Sequence, residues 1–305
     1  MTINRKNSTR LLWIFVVAAV LTGCSPRLRA PGYGYCEPPV PLSDRYQPVR
    51  NTDSLLAAYP ALQKQFSRHD LLVANATGTL GLLDDLTRTG DPRQFRQVRA
   101  ELMSRLILAV NEIGSVSAEL DCEGERADQL ASYLDRINDR RTKRLTVASI
   151  VAGAVTTLLT VAVSSDQGQK IIGFSGGIAS AGLGALTLIP GRKIRLDHPR
   201  NPLRDLWEIP ERSAIYSPFI WYMLTEESFS NDHTGLARSI RKRWAAYVFD
   251  GTGQAGSLFF GNGGWYEADD LHTRANLLNQ LQSSIRALHQ DLQSLMLSVA
   301  SLGEK

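Results

Sequence analysis

Two stretches of this chain, residues 145–163 and 171–189, carry no charged side chain at all. A polar tip, residues 164–170, separates them. Each stretch is close to the length needed to cross the hydrocarbon core of a bilayer, for which about 20 apolar residues suffice. Their small residues are spaced, not scattered: Gly173, Gly177, Ala181 and Ala185 recur every four residues, as do Ser149, Gly153 and Thr157, and Ala148, Ala152 and Thr156. A spacing of four puts each set on one helix face and lets two helix backbones approach closely. Glycine inside a helix costs about 1 kcal/mol relative to alanine, so a compensating interaction is required, and close helix contact supplies it. The expectation is an apolar α-hairpin over 145–190 with a helix-packing face of Gly153, Gly173, Gly177, Ala181 and Ala185.

Basic residues flank the hairpin on both sides, Arg140, Arg141, Lys143 and Arg144 before it and Arg192, Lys193 and Arg195 after it. They suit contacts to anionic lipid or phosphate, or a solvated charged collar. Three readings of the hairpin stay open: insertion into a membrane, burial within an oligomer, or an unusually apolar core.

The address of the chain is written at its start. Arg5, Lys6 and Arg10 precede an apolar run over 11–21 that has the size of a signal-peptide core and is short for a membrane span. The run ends in Leu21-Thr22-Gly23-Cys24, and here the sequence resembles the bacterial lipoprotein class. The resemblance covers only this lipobox segment. It implies a signal peptide over 1–23, a diacylglyceryl thioether on Cys24, cleavage before that residue and acylation, palmitate included, of the new amino group. With Ser25 following the cysteine, it also implies sorting to the outer membrane, facing the periplasm. An exported hairpin would then present its basic base on the non-cytoplasmic side, against the positive-inside preference, which disfavours an ordinary inner-membrane hairpin.

Two cysteines remain, Cys36 and Cys122. In an oxidising compartment they read as one disulfide, with two separate thiols as the alternative. Residues 24–52 are rich in Pro, Gly and polar residues and read as a tether.

The rest is patterned for helices, and the fold class expected is mainly α: a long-helix bundle, the apolar hairpin, and a small mixed region with a short β-hairpin. The bundle segment occupies 53–144. Asp53 is a candidate N-cap, and a second helix is expected over about 67–86. Asp91 followed by Pro92 is a strong helix start. From there Phe95, Leu102, Ala109 and Val116 alternate with Leu106, Ile113 and Leu120 in a four-three repeat. A further helix is expected after Cys122-Glu123-Gly124. Residues 191–266 form the mixed region, with a β-hairpin joining 258–260 to 265–266 through Gly261-Asn262-Gly263-Gly264. The last segment, 267–305, carries an unbroken seam of Leu278, Leu281, Ile285, Leu288, Leu292, Leu295, Val299 and Leu302, expected to pack on the 91–121 helix or, alternatively, between chains.

Catalytic signatures fail on context. Gly173-Phe174-Ser175-Gly176-Gly177 matches G-x-S-x-G, but a nucleophile elbow requires a strand before it and a helix after it. The G-x-G-x-x-G at 251–256 has no following helix long enough to hold a pyrophosphate. The five histidines, His69, His198, His233, His272 and His289, are dispersed, and no metal or other cofactor is expected. Nor is nucleic acid a partner: the formal charge of +4 falls to 31 basic against 30 acidic side chains once residues 1–23 are removed. The function class expected is a non-catalytic envelope lipoprotein with a structural, assembly or transport-accessory role. Its partners would be membrane lipid through Cys24, a second copy of itself and an envelope protein. The alternatives are a membrane-perturbing or pore-forming protein and a periplasmic hydrolase.

Overall fold

A computed structural model of the chain describes residues 28–30, 32, 34–38, 46–249 and 256–302. Cys24 and the signal segment lie outside the described residues. The chain is mainly helical and divides into two compact units, one carrying Ile137–Ile194, the other Ala30–Arg136 and Arg195–Lys305.

In the second unit, short helices α1 (Thr52–Ala57), α2 (Arg68–Ala76) and α3 (Leu80–Arg88) precede the start of the long helix α4 (Pro92–Ala162). The helix expected over 67–86 is broken at Thr77-Gly78-Thr79, where Gly78 has φ +67° and the ring of Tyr46 occupies the space a Cβ would need. Only glycine takes that conformation and that contact at no steric cost. Asn51, not Asp53, caps α1, its side chain accepting from the Ser54 N–H. The expected tether is in part docked: the buried Asn75 side chain accepts from the Val49 N–H and donates to the Val49 carbonyl, as a neighbouring strand would.

The expected break near Gly124 does not occur. Helix α4 runs uninterrupted for 71 residues. Gly124 serves packing instead: an added Cβ would lie 2.9 Å from Asn279 Oδ1 and 3.7 Å from Leu278 Cβ. Both neighbours belong to the C-terminal helix α10 (Ala268–Ser301), which begins with a reciprocal Glu267–Asp270 capping box. Its seam residues Leu278, Leu281, Ile285, Leu288, Leu292, Leu295 and Val299 are all buried within the chain. They face α4, where Leu102, Leu106, Ala109, Ile113, Val116 and Leu120 are buried, and α2. Gln282 fixes the register on α4 by donating to the Ser117 carbonyl (3.2 Å) and to Asp121 (2.9 Å). Asp70 of α2 does so on the other side, accepting from Ser294 and Ser298.

The mixed region contributes β2 (Ile194–Asp197), α6 (Pro202–Glu208), α7 (Pro218–Thr225), α8 (Leu236–Tyr247), α9 (Gly256–Phe260) and β3 (Gly263–Tyr266). The short sheet has the order β1-β2-β3, β1 being Leu28–Arg29. The expected β-hairpin is therefore corrected: 256–260 is helical, and β3 pairs with β2. Gly263, at φ +105°, passes so close to the Leu196 carbonyl that no side chain fits there. Residues 258–260 turn inward because Phe260 stacks on Trp207 at 4.3 Å and lies 6.1 Å from Trp244, a burial an edge strand would not give it.

Candidate membrane-contacting hairpin

In the first unit, residues 145–162 of α4 and helix α5 (Asp166–Ala185), extended by a 3-10 turn at Leu186–Leu188, form an antiparallel pair. Ser165 caps α5 by accepting from the Gly168 N–H. The contact is made by small residues, but in a phase different from that expected. Gly176 lies against Thr156, which would overlap any added Cβ; Gly184 and Gly153 lie near Ser149 and Ser180, with a Cβ at 3.7 and 3.4 Å from the respective hydroxyls. Gly173 and Gly177 have nothing within 4 Å of the position of a Cβ, and Gly177, Ala181 and Ala185 are exposed. The packing face is thus Gly176, Ser180 and Gly184 against Ser149, Gly153 and Thr156. Of the expected set, only Gly153 belongs to it. Both α5 stripes carry small residues at a spacing of four, so periodicity alone gives no phase.

A pair of reciprocal bonds clasps the two helices: Ser149 Oγ donates to the Ser180 carbonyl (2.8 Å) and Ser180 Oγ to the Ser149 carbonyl (3.0 Å). Thr156, Thr157, Thr160, Ser175 and Thr187 donate to carbonyls three or four residues back in their own helices. These seven hydroxyls are therefore satisfied without water, as a nonaqueous surrounding demands.

Both helices are long and apolar enough to cross a membrane, and no residue of either apolar window is buried. That removes the core reading. Exposed apolar side chains cover the sides of the two helices turned away from their contact: Ile150, Val151, Leu158 and Val161 on α4, and the single stripe of Ile171, Phe174 and Ile178 on α5, with Val161 81% and Phe174 74% exposed.

At the base, Asn138 of α4 accepts from the Arg192 N–H (2.8 Å), and Arg141 donates to the Pro190 carbonyl (3.3 Å). Gly191 sits hard on the Asn138 side chain, 2.5 Å from Nδ2 to where a Cβ would be. Arg140, Lys143, Arg144 and Arg192 have no ion pair among the described residues. Arg195 does not belong with them, since its Nε donates to Asp197 (3.0 Å).

The remaining candidates lie apart in the fold. Cys36 and Cys122 are joined by a disulfide, with Cα atoms 5.6 Å apart. Ser175 lies mid-helix, bonded to its own backbone, so no elbow exists. His198 is buried, shares a 2.7 Å hydrogen bond with Tyr266 and is held at a pKa of about 3 by burial and the nearby Arg274 cation. Its neighbour in sequence Asp205 instead accepts from Ser213. Residues 251–255 of the glycine motif lie outside the described residues, and Gly256 opens α9. A cavity of about 480 Å³ is lined by Arg50, Arg200, Tyr216, Trp221 and Tyr222 among others, and two of its cations are already engaged. Arg200 donates to both carboxylate oxygens of the buried Glu119 (2.7 and 3.2 Å) and Arg50 to the Glu211 carbonyl (2.9 Å). Among the described residues, no group of three or more His, Cys, Asp or Glu stands together as a metal site.

Sequence reasoning missed the pairing of His69 with Asp291 (2.8 Å) and a larger constellation on α10. His272 of α10 bridges two aspartates of α4, Asp128 at 2.9 Å from Nδ1 and Asp135 at 3.0 Å from Nε2. The only sequence signal was the spacing of seven between the aspartates, which places them on one helix face.

No protein-family model, curated protein or solved structure matches this chain.

Proposed function

We propose that the chain is a non-catalytic envelope lipoprotein, anchored through Cys24 and facing the periplasm from the outer membrane, whose 145–189 hairpin inserts into a bilayer. In this reading the helical unit is displayed at the membrane surface for a structural or assembly role. The observation that carries it is that both apolar windows of the hairpin are wholly unburied, with large apolar side chains exposed on each helix. An oligomer seam would leave an outward polar side, whereas a helix apolar all round belongs in lipid or a core. Eighteen residues at about 1.5 Å each reach about 27 Å, near the thickness of the hydrocarbon layer. The hydroxyls that bond within the hairpin support the same surrounding.

Self-association is a second element of the proposal, favoured by the vacant stripe of Gly173, Gly177 and Ala181. A small-residue stripe of this kind lets a second copy approach in lipid.

The test is tryptic accessibility of Lys170 at the hairpin tip, in full-length protein reconstituted into phosphatidylcholine vesicles with its base outward. Insertion leaves Lys170 uncut until detergent is added, while Arg212, exposed in a loop outside the hairpin, is cut throughout. Equal cleavage at both sites without detergent would overturn the reading.

A further inference from the structure

Four cations without an ion pair among the described residues gather at the base of the hairpin. Arg88, Arg105, Arg126 and Arg200 are each ion-paired with a carboxylate. Arg140, Lys143, Arg144 and Arg192 are not, and Arg140 and Arg144 are like-charged neighbours one helical turn apart, an arrangement that is unfavourable in water. Asp139 is the one acid within the 138–144 stretch.

Their position is fixed by the fold. Arg144 immediately precedes the uncharged run on α4, and Arg192 follows its counterpart after α5 by three residues. The Asn138 bond to the Arg192 N–H and the close seat of Gly191 on Asn138 hold the returning chain against α4 at this level. One ring of positive charge therefore coincides with the edge of the apolar surface. In a bilayer this edge is the layer of lipid phosphates, whose attraction for nearby Lys and Arg falls off within a Debye length.

We propose that Arg140, Lys143, Arg144 and Arg192 form a binding collar for the phosphate groups of anionic membrane lipid. The inference rests on the insertion reading above and names the lipid class the inserted hairpin selects. About 1 kcal/mol per surface cation corresponds to about fivefold in affinity.

The experiment uses the full chain reconstituted into vesicles of phosphatidylcholine with a minor fraction of phosphatidylglycerol. The lipids that remain bound after mild detergent extraction are then counted. The wild type should retain phosphatidylglycerol enriched at least about fivefold over its share of the vesicle. Arg140→Gln/Lys143→Gln/Arg144→Gln should reduce that enrichment to near unity, and Arg93→Gln/Arg96→Gln/Arg99→Gln, which removes equal charge far along α4, should leave it intact. Asn138→Ala, which frees Arg192 without altering charge, should lower it in part. Excess inorganic phosphate should not displace the lipid; displacement would mean that the collar binds free phosphate. Enrichment that survives the collar triple variant, or is absent from the wild type, overturns the proposal. Protection of Lys170, read on the same samples, separates the two ideas. A protected tip without enrichment sinks the collar alone, and an unprotected tip sinks insertion.

Discussion

Gly176 of α5 faces Thr156 of α4 so closely that a single added carbon would overlap the threonine hydroxyl and methyl groups. One position along, Gly177 meets nothing. Adjacent glycines thus have separable consequences. Gly176→Leu should force the hairpin open, since overpacking a tight contact costs about 1–3 kcal/mol or more. A disulfide trap built from Ser149→Cys and Ser180→Cys should then close poorly. Gly177→Leu should leave the trap efficient and, where two copies meet on the vacant stripe, shrink the detergent-extracted particle. An efficient trap in both variants would contradict the assigned phase.

The covalent bridge gives a second expectation. The Cys36–Cys122 disulfide spans 86 residues of sequence, and closing a loop of that size contributes about 4–5 kcal/mol in the chain-entropy model. Reduction should lower the urea midpoint of the helical unit accordingly. Denatured, unreduced protein should show neither Cys36 nor Cys122 reactive to a thiol reagent.

The C-terminal seam should be internal to each chain. Leu288 is buried at 1% exposure whereas Leu297 is 63% exposed. Leu288→Ala should cost about 2–5 kcal/mol, independent of protein concentration. Leu297→Ala should stay within about 0.5 kcal/mol of the wild type. A concentration-dependent loss for Leu288→Ala would move the seam to an interface between chains.

The pH dependence should carry the mark of His272. The hydrogen bond to Asp135 raises its pKa in the folded protein; burial opposes it, and the Asp128 hydrogen bond and the charges of both aspartates add to the rise. A raised folded pKa makes the contribution complete below the unfolded value of about 6.5 and removes it as pH climbs past the folded value. His272→Gln should therefore lower the melting temperature at pH 5.5 and have little effect at pH 9. The half-exposed setting keeps the effect near that of a surface ion pair. Equal losses at both pH values would show that the bridge does not depend on charge.

Anchoring is tested directly at Cys24. Cys24→Ser should abolish incorporation of labelled palmitate, because no other side chain can form the thioether. Continued labelling would refute the lipobox reading.

Much of this molecule is legible in its sequence, and the exceptions share a physical origin. The α10 seam and the α4 repeat are written in apolar spacing, and burial follows it from Leu102 to Leu120 and from Leu278 to Val299, with the end residues Phe95 and Leu302 only partly buried. The hairpin's existence is legible from its lack of charge. Its phase is not, because Gly173-Gly177-Ala181 and Gly176-Ser180-Gly184 are equally small and only the partner helix chooses between them. Gly124 reads as a stop locally but serves as a contact with Asn279, a residue 155 positions away. The helical turn at Leu258-Phe259-Phe260 has strand-like residues, and aromatic burial against Trp207 and Trp244 overrides that propensity. The His272 bridge joins α10 to α4 across more than a hundred residues, and only folding brings its three members together.

The disulfide also alters how tension would run through the molecule. Residues 36–122 form a closed covalent ring, and ahead of it Leu28–Arg29 is paired with β2. A pull from ahead of Cys36 would first meet the pairing of β1 with β2 and then, through the disulfide, enter helix α4 at Cys122, bypassing α1, α2 and α3. Those elements could be stripped of their packing only after the pull had first displaced α4 itself. Cys24 lies only 12 residues ahead of Cys36, so an acyl anchor there would load the short sheet first and, beyond it, the longest helix of the chain.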